Sequence, residues 1–292
     1  MFAAPPVIRA EPFARIPSSM WKSGSRMGIL EGPCFDAQGN LLVVNVPHGQ
    51  VFRISPAGAV ELLAEYQGEP NGLKFDRSGR MLIADHVRGL VALDPASGAI
   101  STVANKAQHE PFRGLNDLCV NSQGDLYFTD QGESDLRRPD GRVWVRTAAG
   151  KLRLVLDGVP SPNGLAVTPD DRFLYLAATR ANAIWRVPLR RDGTLGRVGL
   201  WIQMSGGTGP DGLALDEAGG IAVAHAGMGS AWLFDETGRP AAEIRVPQGR
   251  LTTNVAYGGP DRRSLFITEA ETHTVYVASV ATPGLALVPA AG

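Results

Sequence analysis

Six segments of this 292-residue chain share one pattern, and each opens on a polar residue that could carry chemistry: Glu31-Gly-Pro-Cys-Phe-Asp36, Asn71-Gly-Leu-Lys-Phe-Asp76, Asn116-Asp-Leu-Cys-Val-Asn121, Asn163-Gly-Leu-Ala-Val-Thr168, Asp211-Gly-Leu-Ala-Leu-Asp216 and Thr253-Asn-Val-Ala-Tyr-Gly258. If equivalent positions converge on one axis, Glu31, Asn71, Asn116, Asn163, Asp211 and Thr253 form a ring of oxygen-bearing side chains. Such a ring suits a hard cation, and Ca²⁺ takes about 6–8 oxygen ligands. Without Cys and without an evident His, these donors favour Ca²⁺, Mg²⁺ or Mn²⁺ over Zn²⁺. The competing reading is that Asn or Asp before Gly simply makes turns. Glu31 has no such preference and follows the apolar segment Met27–Leu30. On the ring alone, a metal site and turn chemistry both stand.

The elements that must position these residues are strands. Successive segments start 40, 45, 47, 48 and 42 residues apart. Each runs into a polar or glycine-containing turn and then a short apolar strand: Leu41–Asn45, Met81–Asp85, Leu126–Asp130, Phe173–Ala177, Ile221–His225 and Leu265–Glu269. Third strands such as Val51–Ile54 and Val143–Arg146 follow, then fourth strands such as Val60–Leu63 and Leu152–Leu156. Four short strands at a period of about 40–50 residues predict a propeller blade, and helical periodicity is nowhere sustained. The expected fold is all-β: a six-bladed β-propeller with four-stranded blades, one domain over residues 1–292. The sixth repeat reaches a third strand at Thr274–Ser279 and lacks a fourth, while the strand-like Val7–Ile16 has no blade of its own. The N-terminal segment is expected to supply the outer strand of the last blade, which leaves no blade one strand short.

Composition narrows the function. Hydrophobic residues at 44% and charged residues at 20% describe a chain that can bury a core. A net charge of −1 gives no basic face for nucleic acid. No apolar run approaches the ~20 residues that span a bilayer, and no secretory leader is evident. A cytoplasmic location is expected, with no membrane partner. Cys34 and Cys119 occupy equivalent positions in blades that are not neighbours, so they are expected to be buried and unbridged. Gly-x-Ser-x-Gly is absent, the nearest match being Gly24-Ser-Arg-Met-Gly28.

Other candidates sit where second strands end. His225, Asp130 with Gln131, Glu269 and His86 after Asp85 could face the channel mouth; each could equally be a structural or solvated strand end. His48 is a weaker candidate. Met20 and Trp21 could form an apolar lid before Glu31, and the charged loop Gln131–Arg142 could set specificity. Trp144, Trp185, Trp201 and Trp232 fall on strands and are expected in the core.

The stretches Leu115-Asn-Asp-Leu, Gly124-Asp-Leu-Tyr-Phe-Thr-Asp130, Ser161-Pro-Asn-Gly-Leu-Ala, Gly209-Pro-Asp-Gly-Leu-Ala-Leu-Asp216, Glu31-Gly-Pro and Thr253-Asn-Val-Ala-Tyr-Gly-Gly-Pro260 resemble the senescence-marker-protein/gluconolactonase/luciferin-regenerating-enzyme family. The resemblance runs over roughly residues 25 to 280 in the family's order and spacing. It implies a propeller with one catalytic divalent cation, Ca²⁺ first and Mg²⁺, Mn²⁺ or Zn²⁺ as alternatives. Glu31, Asn163 and Asp211 are the implied ligands, with Asn116 touching metal, metal-bound water or substrate. One departure concerns the arginine that some members carry two residues before that Asn. Arg113 lies three residues before Asn116.

The reaction so implied is hydrolysis of a lactone to a hydroxy acid. The cation would polarise the ring carbonyl, Asp211 would act as ligand and general base, and Asn116 and Asn71 would orient the substrate, with Arg113 holding an anion or hydroxyl. His225, Asp130 and Gln131 complete the expected substrate contacts. The partner is thus a small-molecule lactone or related ester. An organophosphate or aryl-ester hydrolase on the same site is the first alternative, and a non-catalytic binding propeller the second.

Overall fold

A computed structural model describes residues 4–21, 27–76, 78–107 and 109–286. Six antiparallel sheets stand side by side around one axis, and each inner strand packs against the next until the sixth meets the first. The chain is a six-bladed β-propeller. The inner strands are Leu30–Phe35, Pro70–Phe75, Leu115–Val120, Pro162–Val167, Gly209–Leu215 and Thr252–Gly258, each beginning within two residues of a repeat start.

The polar turns expected between first and second strands are braced by their own side chains. Asp36 Oδ1 accepts the backbone N–H groups of Gln38 and Asn40, and Asp76, Asn121 and Asp216 do the same in their blades. An Asp or Asn there closes the turn locally, so the tight hairpin needs no help from the rest of the fold.

The apolar residues of the strands gather into six clusters, each lying between two neighbouring blades rather than within one. Leu42, Val44 and Val51 of the first blade, for example, pack on Leu73, Ile83 and Val91 of the second. Each such side chain contributes about 1.5–3 kcal/mol when buried, so a blade is held by its neighbours.

The segment Val7–Ile16 divides between two blades. Glu11–Arg15 runs antiparallel to Thr274–Ser279 as the outer strand of the sixth blade. Val7–Arg9 instead pairs in parallel with Pro240–Arg245 and adds a fifth strand to the fifth blade. Cys34 and Cys119 are buried free thiols. Trp144 is buried on its strand, while Trp185, Trp201 and Trp232 are half-buried, and Trp201 stacks on Tyr175 at 4.4 Å. Gly24, Ser25 and Arg26 lie outside the described residues. No helix among the described residues is long and apolar enough to cross a membrane.

Candidate active site

Every inner strand carries an irregularity at the same place, between Glu31 and Cys34, Pro70 and Gly72, Leu115 and Leu118, Pro162 and Leu165, Pro210 and Leu213, and Thr252 and Val255. A bulge breaks the strict alternation of a strand and can re-aim a side chain. The consequence is visible at the first and second repeat positions, which interact across the channel. Asn254 Nδ2 donates to Glu31 Oε2 at 2.9 Å and to Asp117 Oδ2 at 3.3 Å.

Asp117 and Asn254 are site residues that the first-position ring did not contain. They occupy the second repeat position, where the other four blades have Gly32, Gly72, Gly164 and Gly212. A Cβ on Gly72 would stand 2.5 Å from Asp117 Oδ1, and one on Gly212 only 1.9 Å from Asn254 Cγ. The glycines therefore make room for the two side chains. The signal was in the sequence: two polar residues in a column otherwise made of glycine.

The first-position residues fall into two groups. Asn71, Asn116, Asn163 and Asp211 each hold an Oδ1 that is closed off from solvent and has no hydrogen-bond partner among the described residues. Thr253 differs, because its hydroxyl donates to Leu30 O at 2.5 Å and lies 2.8 Å from Thr268 Oγ1. It closes the seam between the sixth and first blades. Glu31 is 4% exposed, and its Oε2 also accepts the N–H of Gly32 at 2.8 Å.

The electrostatics follow from burial. Desolvation and then the charge of Asp117 raise the Glu31 carboxyl to about 8. Asp211 is pushed well above the carboxylate range by desolvation, then by Glu31 and Asp117, while Asn163 and the Arg180 charge pull it down. Burial raises Asp117 as well, against the opposing charge of Lys74, whose Nζ lies 3.4 Å from Pro33 O. Three carboxyls around one axis with a single nearby ammonium make a region short of positive charge.

A cavity of about 670 Å³ is lined among others by His86, Gln131, Ser134, Ser161, Arg137 and Arg180, and none of the first-position residues is in its lining. Gln131 connects it to the ring. Its Oε1 accepts from Asn116 Nδ2 at 3.0 Å and its Nε2 donates to Ser161 Oγ at 2.8 Å. Residues 131–137 of the loop Gln131–Arg142 form one wall.

The remaining candidates hold loops. Asp130 is fully buried, with Oδ1 accepting the N–H groups of Arg113 and Gly114 and Oδ2 held by Arg142 and Trp144. Asp85 accepts from Val87 N, Arg88 N and Tyr66 Oη, and Glu269 from Leu251 N, Glu271 N and Thr272 N. His225 is 1% exposed, its Nε2 lies 3.0 Å from Gly206 O, and burial lowers its pKa. Arg113 turns its guanidinium to the backbone and carboxylate of Asp140. Neither Asp130, His225 nor Arg113 lines the cavity, whereas His86 does. His48 is buried in the short 3-10 turn Val46–His48. Trp21 lies over the His273 ring at 3.8 Å, and Met20 O accepts from Gln50 Nε2.

Residues 29–271 match the profile of the SMP-30/Gluconolactonase/LRE-like region. The chain belongs to this family. It is 27% identical over 253 residues to a protein named lactonase drp35 from Staphylococcus saprophyticus, a match covering 83% of this chain and 75% of that one. Among solved structures it is similar to regucalcin of Agrobacterium tumefaciens, described as a calcium-binding protein, with TM-score 0.81, 25% identity and coverage of 98% and 99%. It also shares the fold of a gluconolactonase from Xanthomonas campestris, with TM-score 0.78, 23% identity and coverage of 96% and 99%.

The residues of this SMP-30/gluconolactonase-like chain fit a hard cation. Four orphaned amide and carboxylate oxygens share the ring with two carboxyls whose ionisation is opposed by burial and by neighbouring carboxylates. A divalent cation would give those oxygens a partner and reverse both shifts. Among the described residues no group of three or more His, Cys, Asp or Glu is placed to hold a metal. Two carboxylates with amide oxygens would suit Ca²⁺ or Mg²⁺ better than Zn²⁺.

Proposed function

We propose that this chain is a divalent-metal-dependent hydrolase that opens a lactone to a hydroxy acid. The observation that carries the reading is the set of unpartnered Oδ1 atoms on Asn71, Asn116, Asn163 and Asp211, linked through the Asn116–Gln131 hydrogen bond to a cavity large enough for a small cyclic ester. The lactonase and gluconolactonase among its relatives support the substrate class. The calcium-binding neighbour supports Ca²⁺ as the cation.

Glu31, Asn163, Asp211 and Asn116 would hold the cation. A bound divalent cation supplies positive charge to the ester carbonyl oxygen as negative charge builds there, and keeps the two carboxylates ionised. Asp211 takes a proton from the attacking water as the water oxygen bonds to the carbonyl carbon. The ring C–O bond then breaks, and the proton passes from Asp211 to the departing ring oxygen. Asn116, clamped by Gln131, and Asn71 orient the ester so that its carbonyl faces the ring.

The direct test follows acid release from a panel of sugar and non-sugar lactones by pH-stat, before and after chelation and with Ca²⁺, Mg²⁺, Mn²⁺ or Zn²⁺ restored. Turnover lost on chelation and regained with one cation is the expected result. An aryl ester and a phosphotriester run beside the lactones address the second reading, since the same electrophilic site could act on either. Turnover of only those substrates would replace the lactone reading.

A further inference from the structure

Arg180 occupies a place that its neighbours build with care. It belongs to the 3-10 turn Thr179–Ala181 after the second strand of the fourth blade. Its N–H donates to Pro160 O at 3.3 Å, and Thr179 N donates to Ser161 O at 3.0 Å. Ser161 has a left-handed backbone, φ 59°, unusual for a residue with a side chain. It is fixed there by Ser134 Oγ, which accepts its N–H at 2.8 Å, and by Gln131, which donates to its hydroxyl. On the other side Thr179 Oγ1 donates to Pro210 O at 2.8 Å, one residue before Asp211. The mount of Arg180 is thus tied both to the Gln131–Asn116 arm and to the strand that carries Asp211.

The guanidinium has no acid partner within ion-pair distance among the described residues. It lines the cavity with Gln131 and Ser161, and its charge reaches the Asp211 carboxyl, which it pulls down. Asp135, on the facing wall, directs Oδ1 to the backbone N–H groups of Arg137 and Arg138. Arg113 is held by Asp140. Among these arginines, Arg180 is the one whose mount is tied to the Asp211 strand and whose head is left for a ligand.

We propose that Arg180 selects the substrate: it grips a carboxylate substituent on the lactone, so that the preferred substrate is an anionic lactone and the product a hydroxy dicarboxylate. A planar guanidinium matches a carboxylate bidentately, and charge-assisted contacts of this kind are stronger than neutral ones. This deepens the lactone-hydrolase reading and rests on it.

The test compares a carboxylate-bearing γ-lactone with its methyl ester on the same ring, using metal-loaded wild type, Arg180→Gln and Arg180→Lys. The readout is the ratio of kcat/KM for the charged lactone to that for the neutral one. Any indirect effect of Arg180 through Asp211 acts on both substrates and cancels in the ratio. Wild type is expected to favour the charged lactone. Arg180→Gln should lower the ratio roughly 10- to 100-fold, mainly through KM, the range of a lost charge-assisted hydrogen bond. Arg180→Lys should recover part of it. A ratio that does not move in Arg180→Gln overturns the proposal. If wild type turns over neither lactone, the hydrolase reading fails by itself, and calorimetric binding of glutarate decides Arg180 separately. Weaker glutarate binding in Arg180→Gln than in wild type upholds the anion site, and equal or undetectable binding overturns it.

Discussion

The side-chain amide of Asn254 reaches across the seam between the sixth and first blades and donates to Glu31 Oε2 at 2.9 Å, 223 residues away in the chain. The same amide donates to Asp117. One neutral group thus stands between two buried carboxyls and supplies hydrogen bonds to both. Removing it takes that donor from the buried Asp117 Oδ2 and leaves Glu31 Oε2 with the Gly32 N–H alone. Asn254→Ala should destabilise the protein by about 1–3 kcal/mol, read as a shift in the urea midpoint with m unchanged. Asn254→Asp, which adds a fourth carboxyl to the axis, should cost more at pH 8 than at pH 5.

The metal-free protein should lose stability as pH rises from about 4.5 to about 8. In the unfolded chain Glu31 ionises near its ordinary value of 4.5, while in the folded protein it keeps its proton to about 8. Between those values the folded state binds the extra proton, so its advantage is complete below 4.5, shrinks with rising pH and is gone above about 8. The slope for one such group is about 1.4 kcal/mol per pH unit, and Asp211 and Asp117 are raised in the same direction. Thermal melts in chelator across pH 5–9 should show a falling Tm, and added Ca²⁺ should flatten the fall. A Tm that rises over this range in chelator contradicts the account.

Asp211→Asn should separate activity from stability. It removes a carboxyl whose ionisation is opposed by burial, Glu31 and Asp117, so the metal-free variant should melt higher than wild type at pH 8. Ca²⁺ should then add little to its Tm, and lactone turnover should fall by about 10²–10⁴-fold, the usual range for a lost general base. Melting with and without Ca²⁺, beside the pH-stat assay, reads all three.

The glycine column should tolerate no side chain. Gly212→Ala would push a methyl into Asn254, and Gly164→Ala into the backbone of Asp211, Gly212 and Leu213 at 2.6–2.8 Å. Each should lose more than about 2 kcal/mol of stability. Gly199, on an outer strand with open space around it, is the control, and Gly199→Ala should melt within a degree or two of wild type.

The repeat made the blades legible because its period and its turn residues are local properties. Asp36 or Asn121 close a hairpin whatever the rest of the chain does. The ring at the first position was legible for the same reason, since equivalent positions in a repeat meet at one axis. Direction was not legible. Asp130 and Arg113 had the right types and lay near Asn116, yet Asp130 anchors the backbone of Arg113 and Gly114, and Arg113 is held by Asp140. Strand alternation cannot say which loop a strand-end carboxylate will brace. Asp117 and Asn254 escaped notice because a regular strand would send successive side chains to opposite faces, and the bulge at each inner strand breaks that rule. Arg180 lies outside every repeated segment, and only the fold brings it to Asp211.

The division of residues 7–15 between two blades also sets the order in which the molecule can be completed during synthesis. Glu11–Arg15 leaves the ribosome long before Thr274–Ser279, the strand it pairs with. At about 5–20 residues per second the wait is on the order of tens of seconds. Through that interval the early strand has an unpaired edge, and the fourth and fifth blades must form while the circle is open. Glu11–Arg15 is a short edge strand bearing Glu11, Pro12 and Arg15, the composition that discourages pairing with a passing chain. The segment that finally locks the circle is thus also written to wait for it.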